Sequence, residues 1–249
     1  MISAPGAKSL ARRNNGLKGR LAEIDWDRVA ADLDVQGFAV IEGLLGAGEC
    51  SDLLSLYRDD ALFRRHVIMD QHGYGRGEYK YFAYPLPGIV GQLRSLAYPR
   101  LARVANRWSE QLGSGIRYPA TLDQFLERCH DAGQLRPTPL LLKYGPGDFN
   151  CLHQDLYGEH AFPLQMAILF EEPGRSFTGG EFVLVEQRPR MQSRATVVPL
   201  TRGDAVIFAG QHRPVRGRRG FHRVNLRHGV SELSSGRRHT LGIIFHDAK

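Results

Sequence analysis

His228-Gly229-Val230-Ser-Glu-Leu-Ser-Ser-Gly236-Arg237-Arg238-His239-Thr240-Leu241-Gly242-Ile243-Ile244-Phe245 closes the C-terminal half of the chain, and its pattern decides the fold. Val224 to Val230 is a short run rich in β-formers, a Ser/Gly turn follows, and Arg238 to Phe245 resumes as a second strand. Towards the N-terminus the same signature recurs at Ala205 to Ala209, Thr196 to Leu200, Glu181 to Val185, Leu164 to Phe170 and Leu140 to Tyr144. These runs have no long helix between them. They predict a mainly β protein built on an antiparallel barrel or sandwich, not a βαβ fold.

Before Cys129 the pattern is mixed. Ile24, Trp26, Val29, Ala30 and Leu33 have helical spacing, Gly37-Phe-Ala-Val-Ile-Glu-Gly43 reads as a glycine-bounded strand, and Gly48 to His66 reads as a helix burying Leu53, Leu54, Leu56 and Tyr57. A longer helix is predicted over Ile89 to Leu112, interrupted near Pro99, and a short one over Thr121 to Cys129. Residues 1–23 carry Lys8, Arg12, Arg13, Lys18 and Arg20 without apolar periodicity, which predicts a flexible basic arm. The expected organisation is that arm followed by one domain over 24–249, with α/β helical support over 24–135 and the β core over 136–249.

Composition excludes several classes. The chain of 249 residues is 42% hydrophobic and 24% charged, which rules out collagen, coiled coil and wholesale disorder. No stretch approaches the ~18 consecutive apolar residues of a membrane span, and the basic N-terminus lacks the apolar segment of a signal peptide. Cys50, Cys129 and Cys151 are odd in number and never spaced as CxxC. That pattern indicates neither a disulfide framework nor a zinc site and fits a reducing cytoplasm. The 33 Lys+Arg against 26 Asp+Glu give a net charge of +7. Such an excess either faces an anionic partner or is a solvated arginine-rich surface.

The chemistry-bearing residues are histidines. His153-Gln154-Asp155 places an imidazole and a carboxylate two residues apart, so in extended backbone both leave the same face and can grip one metal. A third ligand from a distant strand would complete the two-histidine, one-carboxylate facial triad of non-haem Fe(II) oxygenases. His228 and His222 are both preceded by a strand pattern and followed by valine two positions on; His212, His239 and His246 lie in the same half.

The run from His228 resembles the Fe(II)/2-oxoglutarate dioxygenases of the prolyl-hydroxylase-like branch, whose motif has a histidine, a valine two residues later, a turn with glycine, and an arginine ten residues after the histidine. His228, Val230, Gly236 and Arg238 match each position. Lys143-Tyr144-Gly-Pro-Gly-Asp148-Phe149 resembles the lead-in to the metal motif, Gly179-Gly180-Glu181-Phe182 and Pro199 to Phe208 resemble internal strands, and Gly37 to Cys50 resembles the usual opening. The resemblance spans about Gly37 to Phe245. It implies a double-stranded β-helix, or jelly roll. It also implies iron on His153, Asp155 and His228, with 2-oxoglutarate and O2 as co-substrates and ascorbate as a candidate reductant for the iron. Halogenating relatives have a small residue at the position of Asp155, so hydroxylation-type chemistry is implied.

2-Oxoglutarate leaves one carboxylate needing a planar bidentate donor, a role that suits Arg238. On the last strand Arg238, Thr240 and Gly242 share one face, while Arg237, His239, Leu241 and Ile243 share the other. The family's Arg-x-Ser/Thr pairing points to Arg238 with Thr240, and Tyr144 is a further candidate contact to the co-substrate or a core residue.

For the substrate, two segments stand out. Arg213, Arg216, Arg218, Arg219, Arg223 and Arg227 fall in a window without an acidic residue, the arrangement that binds phosphates near the barrel mouth. Gly75-Arg76-Gly-Glu-Tyr79-Lys80-Tyr81-Phe82-Ala-Tyr84 mixes aromatics with bases, as stacking on nucleobases requires, or else packs the core. The stretch His153-Gln-Asp155-Leu-Tyr-Gly158 is similar to one in a bacterial oxygenase family described as acting on damaged nucleic acid. Alkylation-repair dioxygenases carry a second arginine six residues beyond the first, where this chain has Ile244. The expected function is therefore an Fe(II)- and 2-oxoglutarate-dependent dioxygenase, with demethylation of a nucleic-acid base as the leading activity. The alternatives are a protein (prolyl-type) hydroxylase and a non-catalytic nucleic-acid-binding barrel.

Overall fold

In the computed structural model, residues 16–155, 157–188 and 190–249 are described. The helices are α1 (Leu17–Ala22), α2 (Trp26–Gln36), α3 (Ala47–Ser55), α4 (Gly88–Leu112) and α5 (Leu122–Asp131). The strands of the first half are β1 (Phe38–Ile41), β2 (Phe63–Ile68), β3 (Gly75–Arg76) and β4 (Glu78–Phe82). The second half adds β5 (Leu140–Tyr144), β6 (Phe149–His153), β7 (Leu164–Leu169), β8 (Phe177–Gly179), β9 (Phe182–Gln187) and β10 (Arg194–Val198). It ends with β11 (Ala205–Ala209), β12 (His212–Gly217), β13 (Gly220–Val230), β14 (Leu233–Gly236) and β15 (Arg238–Ile244).

Two antiparallel sheets make the jelly roll. One has the order β1-β11-β7-β15-β5-β4-β2; the other runs β10-β9-β13-β6-β3, with β12 paired to β13. Parity along the central strands sorts side chains into two cores. Met166, Ile168, Ile207, Leu241 and Ile243 pack outward against Leu93, Leu101 and Ala105 of α4. Ala167, Leu169, Val206 and Phe208 point into the barrel with Phe182, Leu184 and Val230. Because both faces are covered, β11 reads as an unbroken apolar run and β7 as one broken only by Gln165, rather than as alternating patterns.

The structure corrects several expectations. Residues 1–15 of the expected arm lie outside the described residues, but Leu17–Ala22 is a docked helix with Leu17 and Leu21 buried. Arg20 donates both to the Leu44 carbonyl at 2.8 Å and to the Glu49 carboxylate at 2.6 Å. This six-residue element has too few apolar positions to show a period, and the partner that fixes it is 29 residues away in sequence. The helix expected over Gly48 to His66 ends at Ser55. Two 3₁₀ turns follow, and Phe63–Ile68 becomes an edge strand paired with β4.

Pro99 does not interrupt α4. The stripe Val90, Leu93, Ala97, Leu101, Val104 and Trp108 runs unbroken on both sides of it, and burying that stripe outweighs the ~3 kcal/mol penalty of an interior proline. Nor is 135/136 a boundary in space, since β1, β2, β3 and β4 complete the two sheets. Among the described residues no helix is long and apolar enough to cross a membrane.

Candidate active site

β6 and β13 are neighbours, and their register pairs His153 directly with His228. The two rings lie 4.2 Å apart between centroids, and the His228 ring rests 4.7 Å from that of Phe208. Asp155 follows β6 and turns back between them. Its Oδ1 is 3.6 Å from His153 Nε2 and its Oδ2 is 3.4 Å from His228 Nε2. One donor atom from each of the three residues lies within 4.8 Å of the other two. Gln154, the residue between the first two, donates from Nε2 to the carbonyls of Leu226 at 2.7 Å and Gln211 at 3.2 Å, tying this segment to β13.

Protonation favours metal binding. Burial pushes the Asp155 carboxyl up, but the hydrogen bond and charge of His228, with smaller contributions from His153 and Tyr157, hold it well below the usual carboxylate range. Burial, together with the charge of His153, pushes the His228 pKa below the ordinary imidazole value, towards the neutral form in which a histidine ligates a metal. His153 Nδ1 donates to the Cys151 carbonyl at 2.8 Å, which leaves Nε2 with its lone pair facing the cluster. The site residues thus fit an iron ion.

Tyr157 was not singled out from sequence, although it lies in the His153 to Gly158 stretch. Its hydroxyl donates to Asp155 Oδ1 at 2.7 Å and accepts from Tyr81 at 3.1 Å. Burial and the adjacent Asp155 charge keep the phenol protonated and therefore a donor. Tyr157→Phe is expected to weaken Fe(II) binding about 10- to 100-fold, read by equilibrium dialysis, because an outer partner that orients a ligating carboxylate is lost. Unchanged iron affinity would make the hydroxyl irrelevant to the metal.

Arg238 on β15 lines the same cavity, opposite the histidines, which has a volume of about 570 Å³. It is 2% exposed. Nη1 donates to Thr240 Oγ1 at 2.7 Å, the guanidinium carbon sits 5.5 Å from the centre of the Tyr144 ring, and Nε has no hydrogen-bond partner. No carboxylate pairs with it among the described residues. A buried unpaired cation is destabilising until an anion joins it, so the donor set fits the far carboxylate of 2-oxoglutarate. Gly180 makes room for this arginine, and Gly236, two residues before it, for the neighbouring backbone. Gly236 has φ 81°, and a Cβ there would strike the Ser176 carbonyl; a Cβ on Gly180 would lie 3.0 Å from Arg238 Cδ. Tyr144, fully buried on β5 opposite Arg238, has its phenol pushed up to about 12 by burial.

The predicted substrate residues divide. Tyr79 and Tyr81 share one face of β4 and line the cavity, packed edge to face at 5.3 Å. Tyr81 is mostly buried and tied to Tyr157. The arginine segment is not at the barrel mouth: it is the β12–β13 hairpin, with Arg216, Arg218, Arg219, Arg223 and Arg227 exposed. Gly220 at the turn is about 26 Å along β13 from His228 at ~3.3 Å per residue, and His222 is likewise remote from the cluster.

Arg213 leaves the basic set altogether, being 1% exposed and paired with Glu186 through Nε at 2.9 Å and Nη2 at 2.5 Å. Arg213→Ala is expected to destabilise the fold by about 3 kcal/mol in urea unfolding, since it leaves the buried Glu186 carboxylate with the half-exposed Arg188 as its remaining ion-pair partner. Arg218→Ala should stay within about 0.5 kcal/mol. Equal effects would contradict this division.

Comparison with known proteins agrees with the geometry. Residues 77–248 match a family described as an oxygenase "catalysing oxidative methylation of damaged DNA". An uncharacterized protein of Mycobacterium tuberculosis strain H37Rv is 48% identical over 167 residues, covering 67% of this chain and 72% of that protein. In fold the chain is similar to a prolyl-4-hydroxylase of Pseudomonas putida, with a TM-score of 0.53, 14% identity, and coverage of 90% of this chain and 99% of that one. It is also similar to an oxidoreductase of the 2OG-Fe(II) oxygenase family from Burkholderia pseudomallei, with a TM-score of 0.51, 16% identity, and coverage of 91% and 93%. A third similar fold is that of SnoN, a non-heme alpha-ketoglutarate-dependent epimerase from nogalamycin biosynthesis, with a TM-score of 0.52, 18% identity, and coverage of 88% and 81%. The chain belongs to the oxygenase family described as catalysing oxidative methylation of damaged DNA, and it has the fold of the 2OG-Fe(II) oxygenases.

Proposed function

We propose that His153, Asp155 and His228 hold the iron, that Arg238 with Thr240 and Tyr144 anchors 2-oxoglutarate, and that the substrate is a base in single-stranded nucleic acid. The observation that carries this reading is a buried guanidinium without a carboxylate partner among the described residues, in one cavity with three convergent metal-binding side chains. When bound, the iron couples decarboxylation of 2-oxoglutarate by O2 to oxidation of a substrate C–H bond, with one oxygen atom ending in succinate and the other in the alcohol. For an N-methyl base the alcohol is an N-hydroxymethyl group that releases formaldehyde, so the net change is demethylation.

The protein's own contribution is placement. The rigid strands β6, β13 and β15 fix both ends of the site; Phe182, Phe208 and Val230 wall it from water on one side. The exposed arginines of the hairpin would hold the phosphate backbone away from the reacting base.

The test is succinate and formaldehyde release by iron-loaded protein with N-methylated single-stranded DNA or RNA, or with a Pro-rich peptide. The expected result is stoichiometric formaldehyde with the oligonucleotide and binding that falls steeply with salt. Turnover coupled to the peptide alone would overturn the base reading in favour of a protein hydroxylase.

A further inference from the structure

The cavity mouth carries a set of cations that the iron and 2-oxoglutarate do not use. Arg64 and Arg65 on β2 and Arg136 just before β5 line the cavity together with Lys249, and among its described lining residues Asp155 is the sole side-chain carboxylate. None of the three arginines has an ion pair among the described residues. Several other arginines are paired: Arg20 with Glu49, Arg94 with Asp247, Arg107 with Asp34 and Arg213 with Glu186.

Arg64 is also held in place. Its Nε donates to the Pro137 carbonyl at 2.8 Å, and its guanidinium carbon lies 4.5 Å from the centre of the Tyr81 ring. Tyr81 in turn bonds to Tyr157, and Tyr157 to Asp155. A chain of packed and hydrogen-bonded groups thus fixes the separation between this guanidinium and the metal ligands. Burial lowers the Arg64 pKa, the nearby Tyr81 opposes that shift, and the charges of Arg136 and Arg65 lower it further. The charge of Asp247, itself buried in a pair with Arg94, acts in the opposite sense, and an anion bound among the three guanidinium groups would relieve their mutual repulsion.

The lining includes a flat surface as well. The ring of Tyr74, 50% exposed, stacks on His72 at 5.4 Å with 26° between planes. An anion-seeking rim beside an exposed aromatic face and a cavity of this size matches a phosphate joined to a planar heterocycle.

We infer that Arg64, Arg65 and Arg136 form a phosphate-binding subsite that grips the phosphodiester next to the reacting nucleotide, with the Tyr74 ring as the surface on which a base stacks. This rests on the nucleic-acid reading proposed above and deepens it. The remote hairpin holds the strand, whereas this rim sets which nucleotide enters. Arg65 and Arg136 are exposed, so their charge can be reversed without stranding a buried group.

The experiment measures fluorescence-anisotropy Kd for a labelled single-stranded tetranucleotide, with deoxyadenosine monophosphate as competitor, on protein loaded with Fe(II) and 2-oxoglutarate under anaerobic conditions. The variants are Arg65→Glu/Arg136→Glu and, for comparison, Arg218→Glu/Arg219→Glu; thermal unfolding checks that each folds. The expected result is at least a tenfold loss for the rim variant with both ligands. The slope of log K against log salt should fall by about 0.7 per lost phosphate contact, and KM for the oligonucleotide should rise more than kcat falls. The hairpin variant should weaken longer strands but not the mononucleotide.

If wild type binds and oxidises the oligonucleotide while the rim variant keeps its affinity, the subsite is overturned and the nucleic-acid reading stands. If wild type binds the mononucleotide through the rim but gains nothing from the tetranucleotide, the phosphate subsite stands and its source is a free nucleotide, which overturns the strand reading. Binding of neither ligand by wild type overturns both.

Discussion

Replacing Asp155 by alanine is expected to abolish iron-dependent consumption of 2-oxoglutarate while the protein remains folded. Asp155 is the one carboxylate of the cluster and stands between the two imidazoles, 3.6 Å from His153 Nε2 and 3.4 Å from His228 Nε2. Losing a partner of a metal ligand lowers affinity or activity about 10- to 100-fold, so losing the ligand itself should exceed that range. The residue follows the end of β6 and belongs to neither hydrophobic cluster of the barrel. Removing it should therefore leave the unfolding transition nearly in place. Metal content after loading and succinate release in O2 read the effect. Retained iron at one equivalent with wild-type succinate release would show that the ion sits elsewhere.

The second large effect concerns Arg238→Met, for which opposite consequences are expected in the apo-protein and in the complex. Without co-substrate the guanidinium is buried with Thr240 as its hydrogen-bonded side-chain partner and with Nε unbonded. Exchanging a poorly compensated buried charge for an apolar side chain of similar length is neutral or stabilising, so the apo-protein should unfold at the same or a higher temperature. Binding of 2-oxoglutarate should weaken by about 2–5 kcal/mol, the penalty for removing one partner of a buried charge pair. At about 1.4 kcal/mol per factor of ten, that is roughly 30-fold to several thousand-fold in affinity. Arg238→Lys keeps the charge but not the planar fork and should fall between the two. A strongly destabilised apo-protein that still binds 2-oxoglutarate normally would assign Arg238 a purely structural role.

The sequence made the C-terminal half legible because covered strands announce themselves. Leu164 to Leu169 and Ala205 to Ala209 are apolar except for Gln165, and β15 keeps a strict parity that puts Arg238 and Thr240 inside and Leu241 and Ile243 against the helices. The three clustered residues are legible together: the His153-x-Asp155 spacing is weak alone and gains its meaning from the motif that follows His228. β6 was not, because Phe149-Asn-Cys-Leu-His153 is mixed in composition and only partly buried. The strand that places the first ligand is recognisable only from its pairing with β13.

The substrate side was read less well, for a physical reason. Consecutive arginines look alike in sequence whether they are solvated, paired or aimed at a ligand; Arg213 is bound to Glu186, 27 residues away. Arg64, Arg65 and Arg136 come together only because β2 and the segment before β5 meet at the cavity mouth. Tyr157 likewise acquires its meaning from Asp155 Oδ1 and Tyr81, contacts that no periodicity encodes.

The most direct test of the central claim, that one ion and one dicarboxylate meet in the cavity between His153, Asp155, His228 and Arg238, is an anaerobic calorimetric titration of 2-oxoglutarate into protein with and without Fe(II). The account predicts one site per chain that is tight only when iron is present and is lost in both Asp155→Ala and Arg238→Met. Binding that is equally strong without iron, or that survives either substitution, would contradict it.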